Sequence, residues 1–428
     1  MWKNWSGYVE CPHTPVVTPD DGPQLARTLA EAGRAGQSVR MVGGGHSLSP
    51  LVASDGLIVS LDKLQGVIAV DDATRIARVH AGTRLYTLGA ALAQRGLAME
   101  NLGDINVQSV AGATSTGTHG TGIVFGNIAT QIAALKFVTA DGREVVASPT
   151  QDPQLFDGGR IALGSLGVLT ELSLRLVPAF RLRLERGKMD LEDCLAQADA
   201  LVAANRSFEF YWLPHTESVL TKKWNTTDAP VDTMGFGRWF SEVLLENTAF
   251  GLLCDLGKAV PSLCPSLSRF CASLLSHSAQ VDASWSMLST VRQVRFNEME
   301  WSVPAARGAD ALREIKALVA RRAFPLMFPL EYRWVRGDDI WLSPNHGRDS
   351  VHISVHQYRG MPFQGYFDAV QAICLNHGGR PHWGKAHSLT AAQLAPLYPR
   401  WDDFLALRER MDPQGRFLTP YLRGLFGL

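Results

Sequence analysis

Apolar residues recur along this chain at two spacings, and the spacing changes from segment to segment. Over 23–35 they fall at Leu25, Leu29 and Ala32, the stripe of an amphipathic helix. The apolar runs at 38–42 and 57–61 read as strands, as does 76–80. A helix follows over 84–95, closed by Gly96 just past its last turn. Residues 133–140 and 145–147 pair as a hairpin, and Asp141-Gly142 between them predicts a type I′ turn. Strict alternation returns in Glu171-Leu172-Ser173-Leu174-Arg175-Leu176-Val177 and stops at Pro178.

Beyond Pro178 the pattern gives a strand at 180–185, a helix over 191–204 and a strand at 207–213. Strands recur at 330–335 and 351–358, with a helix over 363–377. This order predicts a sheet carrying helices on one side, in an α+β chain. The stretch 240–277 reads as helices interrupted by prolines and rich in Leu, Cys and Phe. A buried inter-helix or subunit contact is expected there, with a peripheral membrane contact as the other reading. No run approaches the roughly 20 apolar residues of a membrane span.

Parity within two strands singles out chemistry. In Leu330-Glu331-Tyr332-Arg333-Trp334, alternation puts Glu331 and Arg333 on one face, where carboxylate and guanidinium can hold each other in place. A guanidinium fixed in this way presents a fork of donors to an oxygen-rich ligand. In Val351-His352-Ile353-Ser354-Val355-His356-Gln357-Tyr358, the even positions carry hydrogen-bonding groups and the odd ones are mainly apolar. His352 and His356 have the spacing of a zinc motif, but the glutamate after the first histidine is missing and a strand splays them, so no metal is expected.

Three glycine-rich pieces precede Pro178. Gly43-Gly44-Gly45-His46-Ser47 follows the strand at 38–42, a turn that lets backbone N–H groups approach a phosphate. It is not the dinucleotide fingerprint, because Leu48 stands where the third glycine belongs and 47–50 reads as loop. The run 109–122 holds small residues almost exclusively, too little apolar surface for a core element, and suits backbone laid flush against a large flat ligand. Gly164-Ser165-Leu166-Gly167-Val168 is the third piece. Together they imply one extended cofactor. Gly379–Lys385 formally satisfies a P-loop pattern, but Ala386 replaces the magnesium-binding hydroxyl and Pro381-His382-Trp383 blocks the backbone nest.

Composition then narrows the field. A chain of 428 residues with 46% hydrophobic content suggests two domains. Lys plus Arg and Asp plus Glu number 41 each, so there is no electrostatic footprint for nucleic acid. Six cysteines without CxxC spacing argue against zinc or a disulfide framework. Together with an N-terminus lacking a secretory apolar core, they predict a cytoplasmic protein.

VGGGHS at 42–47, SVAGATSTGTHGTG at 109–122 and GSLGVLTELSLRLVP at 164–178 resemble the FAD-binding domain of the vanillyl-alcohol-oxidase flavoprotein superfamily. FNEMEW at 296–301, LEYRW at 330–334, DDIWLSP at 338–344, RPHWGKAH at 380–387 and MDPQGRF at 411–417 resemble its sugar-lactone oxidase branch. That branch holds L-gulono-, D-arabinono- and L-galactono-1,4-lactone oxidases or dehydrogenases, with alditol oxidases as relatives. The resemblance covers nearly the whole chain and is weakest over 221–290.

The resemblance implies a two-domain FAD-binding fold of the PCMH/VAO type. Residues 1–178 would form the FAD-binding domain and 179–385 a substrate-binding cap domain built on a mixed or antiparallel sheet. Residues 386–428 would return to the first domain. It implies FAD bonded covalently through His46 to the flavin 8α-methyl group. Cofactor contacts would come from Val42, Gly43, Gly44, Gly45, His46 and Ser47; from Ser109, Gly112, Thr116, Gly117, Thr118, His119 and Gly122; from Gly164, Gly167 and Val168; and from His382 and Lys385. Glu331 and Arg333 match the family's E-x-R substrate motif, Lys385 matches the lysine beside flavin and substrate, and His356 aligns with a histidine near the substrate in alditol oxidases. The implied reaction oxidises the lactone hydroxyl carbon next to the carbonyl, with hydride to flavin N5 and electrons to dioxygen, giving hydrogen peroxide. Oxidation of an alditol, or of a lactone with poor oxygen reactivity, stays open.

Overall fold

The helix Gly22–Arg34 begins where the Asp21 side chain accepts from the Gln24 N–H, and it buries the predicted stripe Leu25, Leu29 and Ala32. The structure, a computed structural model, describes residues 1–232, 249–290 and 292–428. Strand Leu57–Ser60 pairs in parallel with both Val39–Val42 and Val16–Val17. A five-stranded antiparallel sheet stands beside this unit, in the order Glu144–Ala147, Ile132–Val138, Val168–Arg175, Ile76–His80, Val67–Asp71.

Three local expectations are corrected. The hairpin at 139–143 has Gly142 at φ +83° while Asp141 keeps a negative φ; the Gly142 N–H donates to Thr139 O, and the Thr139 N–H to Arg143 O, both at 2.9 Å. This is a type I turn closed by a glycine bulge, because the loop is one residue longer than a type I′ turn allows. The predicted helix 191–204 is two helices, Leu191–Ala196 and Ala198–Ala204, broken at Gln197 with ψ near 0°. The run 109–122 does contain a core element, the helix Val110–Ser115, capped by Ser109 and burying Val110, Ala113 and Thr114. Its neighbours supply the apolar surface that its own side chains lack.

The second half centres on an eight-stranded antiparallel sheet. Its order is Ser278–Ala283, Arg181–Asp190, Ser218–Thr227, Ser207–Trp212, Leu330–Val335, Ser350–Tyr358, Phe296–Pro304, Arg380–Pro381. On one face Phe210 lies opposite Tyr332, Tyr332 opposite Ile353, and Ile353 opposite Trp301. These residues pack beneath the helices Gly308–Arg322 and Gln364–Asn376, which bury Leu312, Ile315, Phe367 and Val370. A Cβ on Gly308 would collide with the side chains of Tyr332 and Val351, so the helix backbone rests directly on those two sheet side chains. The other face is polar and carries the site.

Helices Phe250–Ala259 and Cys264–Ser273, joined by a 3-10 turn at Pro261–Leu263, fulfil the reading of proline-interrupted helices; residues 240–248 of that stretch lie outside the described residues. Cys254 and Cys264 are buried, but Leu252, Phe270 and Leu274 are exposed in this chain. At the C-terminus Leu407 of helix Trp401–Met411 packs on Gly158, and the Val39 N–H donates to Arg416 O at 2.8 Å. Residues 386–428 therefore contact the first half.

Candidate active site

The glycine loops build the first part of the site. Val42, Gly43, Gly44, Gly45, His46 and Ser47 line a cavity of about 950 Å³ together with Ser109, Gly112 and Thr116 and, from the third piece, Gly164 and Gly167. A Cβ at Gly43 would collide with Ser109 Oγ, and one at Gly44 would sit 2.8 Å from Val107 O. Only glycine lets these two loops meet and leave backbone groups to face the cavity. Buried Arg40 also lines this cavity, and it is tied to the carbonyls of Leu51, Leu163 and Gly164.

This cavity opens into a second one of about 1170 Å³, and the two share His46, Ser47, Gln108 and Thr116. Gln108 Oε1 is buried at the junction with no hydrogen-bond partner among the described residues, an acceptor waiting for a ligand donor. A long glycine-walled cavity joined through an imidazole to a charged chamber fits FAD, and these residues would hold it. Burial first, then Lys385 and Arg84, push His46 down to about 4, so its imidazole is neutral near pH 7. Trp5 stacks on it with ring centroids 5.4 Å apart, and Asn4 Nδ2 donates to Ser47 O at 3.0 Å.

The polar sheet face forms the far wall. Cross-strand register sets Tyr211 opposite Glu331, Glu331 opposite Ser354, and Ser354 opposite Glu300; Glu209 faces Arg333, and Glu298 faces His356. Arg333 is buried and lies 2.6 Å from Glu331 and 3.0 Å from Glu209, with Tyr211 Oη accepting from its Nη2 at 3.2 Å. The Glu209 contact lacks hydrogen-bond alignment, so it acts as an ion pair alone. Burial opposes the charged form of Glu331, but Arg333 and then Arg292 outweigh it and hold its carboxyl at about 2. Lys385 reaches into the chamber, paired with Glu298 and 4.0 Å from Glu300. Glu298 is likewise opposed by burial and held at about 2 by Lys385 and His356.

Beneath Lys385 lies a cluster of His119, Glu300, His352 and His382. His119 Nδ1 donates to Gly120 O at 2.8 Å, so its contact with Glu300 through Nε2 is favourable only with a proton between them. His352 Nδ1 meets the same Glu300 oxygen at 2.8 Å. The ligand atoms of His119, Glu300 and His352 lie within 4.8 Å of one another, and the direct contacts are those of hydrogen bonds. Burial brings His352 down to about 3 and His382 to about 4.

Most of the expected residues therefore gather at two joined cavities, with Thr118, His119, His382, Glu331, Arg333 and Lys385 all in the second. Four do not line either. Gly117 has φ +74° just past the end of helix Val110–Ser115, and Gly122 at φ +132° donates its N–H to Trp334 O at 2.7 Å across the joint between the halves. Val168 is fully buried in the five-stranded sheet. His356 lines a third cavity instead, with Nδ1 donating to Pro329 O at 3.0 Å and Nε2 3.5 Å from Glu298.

Sequence reasoning missed Asp104, Gln108, Glu209, Arg292, Glu298 and Glu300. Glu298 and Glu300 stand at alternate positions of strand Phe296–Pro304, which puts both carboxylates on one face. Asp104 and Arg292 come from irregular segments and give no periodic signal. Arg292 Nε donates to Asp104 Oδ2 at 2.8 Å, and Nη2 to Glu331 Oε1 at 2.6 Å.

Comparison with known proteins accords with this geometry. Residues 172–425 match the family of D-arabinono-1,4-lactone oxidase, and residues 14–148 match the FAD binding domain family. An L-gulono-1,4-lactone dehydrogenase of Mycobacterium tuberculosis is 41% identical over 428 residues, 100% of this chain and 99% of that protein. The L-gulonolactone oxidase of Bos taurus is 32% identical over 432 residues, 99% of this chain and 98% of that protein. The crystal structure of cholesterol oxidase from B. sterolicum superposes with a TM-score of 0.83 at 18% identity, covering 99% of this chain and 96% of that one, which shows the shared fold.

Proposed function

The chain belongs to the D-arabinono-1,4-lactone oxidase family, and we propose that it oxidises a sugar 1,4-lactone at the hydroxyl carbon next to the ring carbonyl, with FAD bonded covalently through His46. It is an FAD-dependent oxidoreductase acting on sugar lactones. The observation that carries the reading is the polar sheet face: Glu331, Arg333 and Lys385 converge on a chamber that shares His46 with the glycine-lined cavity.

When bound, FAD supplies the acceptor for the hydride that the substrate carbon loses. The chain orients the substrate and manages charge. Arg333, fixed by Glu331 and Glu209, offers a preset guanidinium to the lactone oxygens, which saves the entropy of ordering it at each turnover. Lys385, tethered to Glu298, keeps a cation over the centre where an oxyanion develops as the hydroxyl proton departs. His356, with Nδ1 donating to Pro329 O and Nε2 3.5 Å from Glu298, is the proposed acceptor of that proton from the adjoining cavity. Neutral His46 has the nucleophilic nitrogen that attachment to the flavin methyl requires.

Dioxygen as electron acceptor, and a cytoplasmic location suggested by six free cysteines, belong to the same reading. Exposed Leu252, Leu256, Phe270 and Leu274 support a peripheral membrane contact within 240–277; no described helix is long and apolar enough to cross a membrane.

The test is to add sugar lactones, alditols or buffer to anaerobic holoenzyme and follow bleaching of the yellow flavin band, then repeat in air with an oxygen electrode. Bleaching by lactones supports the reading; bleaching by alditols alone would replace it with polyol oxidation. Oxygen uptake separates oxidase from dehydrogenase.

A further inference from the structure

Three cavities among the described residues lie in series. The first shares His46, Ser47, Gln108 and Thr116 with the second, and the second shares Thr290, Arg292, Phe296 and Glu331 with the third. A substrate in the middle chamber therefore has the His46 end on one side and Arg292 on the other. The third cavity, about 750 Å³, is more open than the middle one and is built of two kinds of side chain. Lys222 Nζ donates to Tyr211 Oη at 3.3 Å, and that hydroxyl donates to Glu209 at 2.9 Å, while Phe250, Phe296 and Phe328 supply aromatic surface. Hydroxyl-binding groups beside aromatic faces suit a polyhydroxylated carbon chain, whose C–H edges pack on rings while its oxygens find donors and acceptors.

Arg292 forms the partition. It belongs to the irregular stretch between helix Ser284–Met287 and strand Phe296–Pro304, and that stretch is latched to the first half. The Thr290 N–H donates to Asp104 O at 2.7 Å and its hydroxyl to Asp104 Oδ1 at 3.1 Å, while Arg292 Nε donates to Asp104 Oδ2 at 2.8 Å. Arg292 Nη2 donates to Glu331 at 2.6 Å and also to Asp104, whereas its Nη1 donates to nothing among the described residues. The guanidinium is thus held rigidly at the boundary with donors to spare. Its carbon lies 5.6 Å from the centroid of the Phe296 ring.

We propose that Arg292 and the third cavity form a tail subsite that binds the exocyclic hydroxyls of the substrate, so that this chain selects lactones whose carbon chain continues beyond the ring. The subsite rests on the lactone reading above and adds the residues that would read the exocyclic chain, so that lactones of six carbons bind more tightly than those of four, which have no exocyclic carbon. Arg292 makes it a matter of affinity, because the contact lies away from the reacting carbon and is made equally in ground and transition states.

The experiment measures kcat and KM of the holoenzyme with four-, five- and six-carbon 1,4-lactones, using a dye as electron acceptor so that oxygen reactivity plays no part. In the wild type KM should fall along the series. In Arg292→Met the ratio of KM for the six-carbon to the four-carbon lactone should rise about tenfold, or about 1.4 kcal/mol, with the kcat ratio steady. Val294→Trp, which fills the third cavity from a residue outside the middle chamber, should raise the same ratio without disturbing the Asp104 latch. A ratio unchanged in both variants overturns the subsite and leaves lactone oxidation standing. Turnover of alditols but no lactone overturns the lactone reading instead, and the four- to six-carbon alditol series then decides the subsite by the same ratio.

Discussion

Replacing Arg333 by Met tests the charge arithmetic of the polar sheet face. Arg333 is 7% exposed, and its guanidinium lies 2.6 Å from Glu331, 3.0 Å from Glu209 and 3.9 Å from Asp104. With Arg333 removed, those three carboxylates are left with Arg292 and Lys222 as facing cations. Breaking a buried pair from one side costs about 3–5 kcal/mol, since a charge stays buried without its partner. Unfolding entropy of about 2.1 cal/mol/K per residue, over a chain of this length, makes each kcal/mol worth about 1 °C, so Tm should fall by about 3–5 °C. Separately, loss of a charge-assisted substrate contact should lower kcat/KM by about two to three decades. The double variant Arg333→Met, Glu331→Gln removes the stranded charge and should recover most of the Tm while staying inactive. Calorimetry and dye-linked turnover on flavin-loaded protein read the two effects apart. If the double variant regains wild-type kcat/KM, Arg333 serves only the ion-pair network and the proposed substrate contact is refuted.

Three further outcomes follow from the site. Acid-precipitated protein should stay yellow and carry the added mass of FAD, whereas His46→Ala should release all flavin to the supernatant; complete release from the wild type would refute covalent attachment. Lys385→Met should slow flavin reduction by substrate in stopped flow and lower the flavin potential, because it removes the cation tethered at Glu298; an unchanged reduction rate would take Lys385 out of the reaction. Stability should fall steeply below pH 6.5. Burial holds His352, His382 and His387 at about 3, 4 and 4, so the unfolded chain takes up three protons that the folded chain refuses until near pH 4. Their contribution is complete above the unfolded value and is lost on acidification, at about 4 kcal/mol per pH unit around pH 5. Urea midpoints that stay level from pH 7 to pH 5 would contradict it.

Local patterns decided a good deal of this molecule. Period-3.6 spacing located helix Gly22–Arg34 to within a residue, and period-2 parity placed Glu331 and Arg333 together with Tyr332 and Trp334 on the opposite face, because both rest on backbone geometry that neighbours in sequence share. Consecutive glycines at 43–45 marked a backbone approach that side chains would block. What lay beyond the sequence was register and juxtaposition. That Glu298 faces His356, and that Ser354 stands between Glu331 and Glu300, depends on pairings between strands far apart in the chain, and no local rule fixes them. The same holds for Asp104 and Arg292, which meet from irregular segments of the two halves. His356 shows the limit most plainly: parity puts it on the polar face, yet position along the strand carries it past the middle chamber into the next cavity. The run at 109–122 shows it from the other side, since small residues bury little surface themselves but form a core helix once the surrounding sheets supply it. Sequence determined which groups share a face; tertiary pairing decided which faces meet, because contact energy depends on distance in space and chain order constrains that only locally.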